Sequence, residues 1–334
     1  MKNILVTGGA GFVGRHLIQR LLQQGNTVHC VDIMEPLSGA IIPEQWPLFK
    51  PLDFQNFHYY QMDCRDWFKE NQNEKFDYTF HLAAMVGGRA MIENKPLAVA
   101  DDLAIDAAYW QWAASAKPDK SIVFSSSAAY PIQLQTFDHY ELLKEDMISF
   151  DADIGMPDMT YGWAKLTNEY LAQLAYQKHG LKSVCYRPFS GYGEDQDDTY
   201  PFPAICKRIL VNQEAEEINV WGTGKQMRDF IHIDDCISGV LQTMDKIDDA
   251  SAINLSTGKF TSFIEFVETA ADILGFSPKV TGTSNTPEGV FARGGDTTLQ
   301  KELGFTEKRT FRQGIKDALK YYKSNQGVKK NKNA

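Results

Sequence analysis

A chain of 334 residues with 43% hydrophobic and 23% charged side chains has ordinary globular composition, enough for one large or two coupled domains, each with a core. A net charge of −9 excludes an extended nucleic-acid or anionic-membrane surface, because such partners need clustered Lys and Arg, and no apolar run reaches the about 18 residues of a membrane span. The five scattered cysteines, with no Cys-x-x-Cys and no nearby His pair, predict neither a disulfide framework nor a metal site; with no leader-like segment before Asn3, the expected location is the cytoplasm.

In chain order, Asn3 to Thr7 is a short apolar β-prone run. It feeds Thr7-Gly8-Gly9-Ala10-Gly11-Phe12-Val13-Gly14 and then an amphipathic helix with Phe12, Leu17, Leu21 and Leu22 on its apolar side. A second run, Thr27 to Val31, ends in Asp32. This βαβ opening is the layout of a dinucleotide cradle. Gly8, Gly11 and Gly14 stand where the chain turns sharply, where backbone approaches a pyrophosphate, and where helix packs on strand. Asp32, about 18 positions past Gly14, can accept both hydroxyls of the adenosine ribose. Its carboxylate repels a 2′-phosphate and Ile33-Met34 supplies no arginine for one, so NAD is favoured over NADP.

Further strands are expected at Phe57 to Gln61, Tyr78 to Leu82, Ser121 to Ser125 and Ser183 to Tyr186, with helices between them. Alternation of this kind predicts an α/β protein with a doubly wound parallel sheet covered on both faces. Two helices carry apolar stripes, Leu103, Ala107, Trp110 and Ala114 on one and Trp163, Leu166, Tyr170 and Leu174 on the other. These stripes are expected to face the sheet, with the outer faces of both helices available for a homodimer bundle.

Within the second helix, Tyr161 and Lys165 are four apart and project from one face. A phenol with an ordinary pKa of about 10 is a poor base at neutral pH; a nearby ammonium favours the phenolate, and a lowering of about three units is worth roughly 4 kcal/mol. Such a tyrosine can take a proton from an alcohol while hydride leaves the same carbon. Phe124-Ser125-Ser126-Ser127-Ala128-Ala129-Tyr130-Pro131 ends a strand, where a doubly wound sheet forms its ligand crevice, and one of its hydroxyls can donate to the reacting oxygen.

After Arg187 the texture changes to Gly, Pro and aromatic residues, with a turn at Trp221-Gly-Thr-Gly and a strand at Met227 to Ile233. The expected organisation is a dinucleotide domain over 1–187, to whose sheet residues of about 229–254 return as helix and strand, and a smaller α/β substrate domain over 188–325. Residues 326–334 end a polar, basic run from Lys323 that reads as a frayed tail. The acidic run Glu194-Asp195-Gln196-Asp197-Asp198 reads as a solvated loop, or, if it meets the cleft, as a binder of hydroxyls or a second acid/base.

Together these pieces resemble the extended short-chain dehydrogenase/reductases, in the NAD-dependent epimerase/dehydratase group acting on nucleotide sugars. The matching segments are Thr7 to Gly14, Asp32, Asp63, His81-Leu-Ala-Ala84, Ser125 to Ser127, Tyr161 to Lys165, Arg187-Pro-Phe-Ser-Gly-Tyr-Gly193 and Trp221 to Asp235, in family order. The resemblance implies a Rossmann fold. It implies that Phe12, Val13, Asp63, Cys64, Leu82, Ala83, Ala84, Ser125 and Arg187 border NAD, that Ser126 and Tyr161 act on the substrate, and that Lys165 holds the nicotinamide ribose. Arg228 and Arg293 would grip the diphosphate of a nucleotide sugar, Val220 and Trp221 would flank its base, and Ser190 stands where the family has a diphosphate-contacting asparagine.

The same resemblance sorts the reaction. Dehydratases of the group carry Asp-Glu where this chain has Ser127 and Ala128, decarboxylases keep a glutamate at the Ala128 position, and 3,5-epimerases and epimerase-reductases place a cysteine there. What remains is Ser126, Tyr161, Lys165 and NAD, which suffice for oxidation and re-reduction at one carbon, the chemistry of a 4-epimerase; simple dehydrogenation or ketone reduction uses the same residues. A non-catalytic NAD-binding member of the fold is the reading from another class, against which stand the retained Tyr161 and Lys165. Two further departures are Asp102 in place of an active-site-supporting asparagine, and Gly87-Gly88. The glycines sit in Met85-Val-Gly-Gly-Arg89, which resembles the Met-Gly-Gly segment of GDP-mannose 3,5-epimerases and would open space beside the sugar.

Overall fold

The fold is taken from a computed structural model, which describes residues 1–34, 39–85, 89–283 and 289–330, with the side chains of 89, 90 and 326–330 set aside. The first half alternates strand and helix: β1 (Asn3–Thr7), α1 (Phe12–Gln23), β2 (Thr27–Asp32), β3 (Phe57–Gln61), α2 (Cys64–Glu70) and β4 (Tyr78–His81). Then come α3 (Arg89–Asn94), α4 (Pro96–Val99), α5 (Asp101–Ala116), β5 (Lys120–Phe124), α6 (Met159–His179) and β6 (Ser183–Pro188). The remainder is β7 (Ser190–Tyr192), α7 (Pro201–Val211), β8 (Glu217–Trp221), β9 (Met227–Arg228), β10 (Phe230–His232), α8 (Ile233–Thr243) and β11 (Asp249–Leu255). It closes with β12 (Thr261–Ser262), α9 (Phe263–Leu274), β13 (Lys279–Thr283), β14 (Ala292–Arg293), α10 (Thr298–Glu302) and α11 (Phe311–Lys330).

Seven strands form one parallel sheet in the order β11-β6-β5-β4-β1-β2-β3. The direction of winding reverses between β1 and β4, and in such sheets the crevice outside the strand C-termini at this switch point is the ligand site. Alternate residues of β1 serve opposite cores. Ile4 and Val6 join the core under α1 and α8, whereas Leu5 joins the core under α2, α5 and α6. That two-sided burial is why the strands read as unbroken apolar runs. As expected from the sequence, α8 and β11 carry the chain back, and β11 becomes the edge strand beside β6. A third core, with Phe202, Ile209, Phe230, Phe266, Ile315 and Leu319, holds α7, α9, α11 and the short strands together.

Four expectations are corrected here. The stripes read on α5 and α6 are only partly turned inward: Trp110 and Leu166 are buried, whereas Leu103 is 40% exposed, Trp163 43% and Tyr170 45%. The inward faces carry Asp102, Ile105, Asp106 and Tyr109 on α5 and Gly162, Lys165, Asn168, Glu169 and Ala172 on α6. Small and ionisable residues occupy them because the two helices pack closely and line the crevice. The strand expected over Met227 to Ile233 is split at Asp229 into β9 and β10. Helix α11 runs through Lys330, into the expected tail, because turns anchored by Ile315, Leu319 and Tyr322 let a run of helix-compatible polar residues propagate.

The acidic run is the fourth correction, since it is only partly solvated. The Asp195 side chain is buried against α1, where it accepts from Arg15 Nη2 at 2.9 Å and lies 2.7 Å from His16 Nε2. Glu194 faces His232, Asp197 closes a turn on the Thr199 N–H, and Asp198 pairs with Lys207. The run ties the loop after β7 to the rest of the molecule. Among the described residues no helix is long and apolar enough to cross a membrane, and no group of His, Cys, Asp or Glu is arranged to hold a metal ion.

Candidate active site

The cradle is made of backbone. A side-chain Cβ at Gly8, whose φ is +69°, would lie 2.6 Å from the Ala83 nitrogen, and one at Gly14 would lie 2.5 Å from the Gly9 Cα. Neither position admits any residue but glycine without moving main chain. The turn therefore lies directly against Leu82 and Ala83, which leave β4 beside it. Helix α1 begins at Gly11 with no side-chain cap, so the N–H groups of its first turn, at Phe12, Val13 and Gly14, are presented to the crevice. Such a turn is a ready site for a pyrophosphate.

Asp32 ends β2 and is buried, with Oδ2 accepting from the Ala10 N–H at 2.9 Å and Oδ1 from the Met34 N–H at 2.8 Å. Burial pushes its carboxyl up, against the pull of these donors and of Arg15. A carboxylate has about four lone-pair positions, so two remain for a ribose. Asp63 caps α2 and is held by Arg65 at 2.6 Å, whereas the Cys64 side chain is buried in the core and its thiol is pushed up to about 12 by burial. Only the backbone of Cys64 is available to an adenine.

The acid–base centre is assembled across β5 and α6. Ser126 follows β5 in extended conformation, and its Oγ accepts from the Ala128 N–H at 3.1 Å. A Cβ on Gly162 would lie 2.4 Å from the Ala128 carbonyl, so the glycine inside Tyr-Gly-Trp-Ala-Lys is what lets α6 close on this turn. Tyr161 is brought close to Ser126, whose hydroxyl favours the phenolate, and Lys165 Nζ lies 5.6 Å from the centre of the Tyr161 ring. Ala128 is buried and apolar. Of the three serines, Ser125 is turned inward and donates to Glu169.

The electrostatics correct a further expectation. Burial pushes the Tyr161 phenol up rather than down, and Asp102 and Asp106 add to the rise; Lys165 and Ser126 oppose it. Burial also pulls the Lys165 ammonium down, but Asp102, Tyr161 and Asp106 outweigh it and leave it above its ordinary value. Lys165 is therefore a fixed positive charge.

Behind the centre lies a buried polar network that the sequence does not announce. Arg187 donates to both oxygens of Glu169, at 2.9 and 2.6 Å, to the Tyr130 hydroxyl at 3.0 Å and to the Glu145 carbonyl. Its side chain is thus bound within the protein and cannot border NAD, which corrects the expected role. His81 lies 2.8 Å from Thr7 Oγ1 and 3.0 Å from Asp106 Oδ1, stacked on Tyr109 at 4.1 Å. Burial pulls its imidazole down. The available signal was spacing, since Tyr161, Lys165 and Glu169 recur every four residues on one helical face.

On the far side of the crevice, Arg228 and Arg293 are register partners on the paired strands β9 and β14. Two guanidinium groups on adjacent strands suit an anion with two phosphates. Arg293 also donates to Asp158 at 2.9 Å and to Gln135 at 2.7 Å, and Asp158 precedes the helix that carries Tyr161. Asp229 braces both strands against the end of β11 by accepting from the N–H groups of Thr257 and Gly258. Ser190 begins β7, half-buried. Trp221 is 67% exposed, but Val220 is 2% exposed and packs into the third core, so its side chain cannot flank a base. Gly87 and Gly88 lie outside the described residues.

A parallel doubly wound sheet with a glycine-rich turn at its switch point, and Ser126, Tyr161 and Lys165 gathered beside it, defines a Rossmann-type dinucleotide-binding fold. The chain belongs to the NAD dependent epimerase/dehydratase family, which it matches over residues 4–256. The family's cofactor is NAD, and it is a family of enzymes. The chain is 26% identical to a GDP-mannose 3,5-epimerase of Oryza sativa subsp. indica, over 94% of this chain and 79% of that protein. It is 24% identical to GDP-L-fucose synthase 1 of Arabidopsis thaliana, over 96% and 93%. In fold it is similar to the UDP-glucose 4-epimerase of Thermotoga maritima crystallised with UDP-glucose, with TM-score 0.81 and 24% identity over 97% and 99% of the two chains.

Proposed function

We propose that this protein is a nucleotide-sugar epimerase that inverts one carbon, C4, through a transient 4-keto intermediate. The observation that carries the reading is the company of Ser126: Tyr161 and Lys165 are beside it, while the position that supplies a second acid/base in other chemistries of the family is the buried, apolar Ala128. The five cysteines stand on β2, α2, β6, α7 and α8, all buried, which speaks against a thiol-assisted 3,5-epimerisation.

In this reading Gly8, Gly11, Gly14 and Asp32 would hold NAD, which would supply an acceptor and donor of hydride for the reacting carbon. Tyr161 Oη takes the proton of the C4 hydroxyl and later returns it to the same oxygen; Ser126 Oγ donates a hydrogen bond to that oxygen. Lys165 supplies the fixed positive charge that steadies the transient phenolate. Arg228 and Arg293 hold the diphosphate while the ketone turns over, and Trp221 offers an aromatic face to the base. A dinucleotide domain over 1–187 joined by 229–254, and a sugar-nucleotide domain over the rest, are part of the same proposal. So are a homodimer formed through the exposed faces of α5 and α6, which carry Leu103, Trp163 and Tyr170, and a cytoplasmic location.

The test is to incubate the protein with UDP-, GDP-, CDP- and dTDP-sugars in deuterated water and read products by NMR. The expected product is inverted at C4 with no deuterium on carbon and no net change in nicotinamide absorbance. Deuterium at C3 or C5 would overturn the assignment, and net oxidation or reduction would mark a dehydrogenase or ketoreductase instead.

A further inference from the structure

Arg15 stands on α1, next in the chain after the last cradle glycine, and is 4% exposed. All the N–H donors of its guanidinium are spent, and they go to separate segments of the chain. Nη1 donates to the Ala10 carbonyl at 2.9 Å, inside the glycine turn, and to the Gly39 carbonyl at 3.2 Å, downstream of β2. Nε and Nη2 donate to Asp195 Oδ2 at 3.2 and 2.9 Å, and Nη2 also donates to the Asp195 carbonyl at 3.1 Å. The other carboxylate oxygen of Asp195, Oδ1, lies 2.7 Å from His16 Nε2. The loop after β7 meets the cradle at two more points: a Cβ on Gly193 would lie 3.0 Å from the Phe12 ring, and one on Gly39 would lie 3.1 Å from Asp197 Cβ. Ala10 in turn donates its N–H to Asp32 Oδ2 at 2.9 Å. Ala10 therefore ties Asp32 on its amide side to Arg15 on its carbonyl side, and Arg15 ties both to Asp195.

We propose that Asp195, acting through Arg15, is a positioning residue for the cofactor: it latches the loop after β7 to α1 and so holds the cradle turn and Asp32 in the shape that retains NAD. The inference goes beyond the epimerase assignment and needs only that the family's cofactor occupies the cradle. A turn of glycines lets backbone approach a pyrophosphate, but the same freedom leaves the turn without stiffness of its own. Helix α1 opens with no side-chain cap, so nothing at Gly11 supplies that stiffness. Arg15 supplies it by holding the Ala10 carbonyl, and the buried Asp195 carboxylate fixes the guanidinium in the orientation that reaches Ala10. A buried ion pair is costly to desolvate, and its clearest return is in fixing which segments meet. The planar fork of arginine suits this task, because its two ends point to Ala10 and to Asp195 at once, whereas an ammonium is a single point of charge. With every donor engaged inside the protein, Arg15 acts on the pyrophosphate through the turn rather than as its ligand. NAD leaves only as the turn loosens around it, so the latch acts on the rate of release.

The experiment measures how fast the full-length protein loaded with NAD releases it, with freed NAD reduced by added alcohol dehydrogenase and ethanol and read as NADH fluorescence. Asp195→Asn is expected to speed release about tenfold. Asp198→Asn, which removes the exposed partner of Lys207 from the same loop, is expected to leave the rate unchanged. Asp195→Asn combined with Arg15→Lys is expected to release NAD no faster than Arg15→Lys alone, because Asp195 reaches the turn through Arg15; two separate structural losses would instead add. Should Asp195→Asn fold poorly, Arg15→Lys keeps a cation beside Asp195, lacks the fork that spans to Ala10, and is itself expected to speed release about tenfold. An unchanged rate in the variant that folds, additive effects in the double variant, or an equal rise in Asp198→Asn overturns the proposal. So does slower release from Asp195→Asn, which would mean that Arg15, once parted from Asp195, grips the pyrophosphate itself. No sugar is present and turnover is not measured, so the outcome is independent of whether the epimerase assignment survives its own NMR test.

Discussion

The dinucleotide cradle and the acid–base centre sit at the C-terminal ends of strands in one sheet, yet they are built of different material. At the cradle, what matters is the absence of side chains: backbone at Gly8 and Gly14 passes within contact of backbone at Ala83 and Gly9. At the centre, what matters is a crowd of ionisable side chains: Lys165, Asp102, Asp106 and His81 taken out of water beside the half-buried Tyr161, with the Glu169–Arg187 pair behind them. The comparison teaches that the two sites fail differently. The first can be lost by adding one methyl group, the second by removing one charge.

The largest expected effect belongs to the centre. Tyr161→Phe removes the transferable proton and leaves the cradle intact, so turnover should fall by about 10²- to 10⁴-fold while the purified protein still carries NAD by its absorbance. A fall of less than tenfold would move the chemistry elsewhere. Next comes the pair behind the centre. Arg187→Met leaves Glu169 buried without its cation, and urea unfolding should register a loss of about 3–5 kcal/mol. A near-neutral result would mean that Glu169 takes up a proton at little expense, and that the network is not what fixes α6 beside β6.

The third prediction uses pH. The Asp102 carboxyl, ordinarily near 3.8, is raised to about 6 in the folded chain, so the folded state binds its proton more tightly than the unfolded state. Its contribution to stability is therefore complete below the ordinary value and lost as pH rises through about 6, on the order of 3 kcal/mol in all. Unfolding measured between pH 4 and pH 7 should show this decline in the natural chain and lack it in Asp102→Asn; parallel curves would remove Asp102 from the set of strained groups. The smallest effect is at the cradle. Gly8→Ala should weaken NAD binding by about 1–3 kcal/mol, or roughly 10- to 100-fold by calorimetry, with little change in a pH profile of turnover at saturating NAD. A shifted profile would show that cradle and centre are less separate than their construction implies.

Legibility in the sequence follows the same division. The strand β1 begins and ends where the alternation of apolar runs and turns predicts, because a parallel strand buried on both faces leaves few polar positions to confuse the pattern; the edge strand β3 also keeps its expected bounds, on its run of aromatic residues. The glycine spacing was readable because close backbone approach accepts one residue type. Helices α5 and α6 were misread for the opposite reason. Parts of their hydrophobic stripes, Leu103, Trp163 and Tyr170, lie at the surface, and their inward faces hold Asp102, Asp106, Lys165 and Glu169, which composition rules place outside. Nor did the sequence indicate that Arg187 would find Glu169 18 residues before it, or that Asp195 would find Arg15 across 180 residues.

The sequence by itself determined the α/β alternation, the cradle with its carboxylate, the Tyr161–Lys165 pair and the family, since each rests on local spacing along strand, turn or helix. Only the tertiary structure decided the charge state of the centre, the commitment of Ser125 and Arg187 to the interior, the register that sets Arg228 beside Arg293, and the inward placing of Asp102. Each of these is a property of groups brought together from distant segments. Burial and Coulomb interaction act through space, and their sign depends on what folding places next to what.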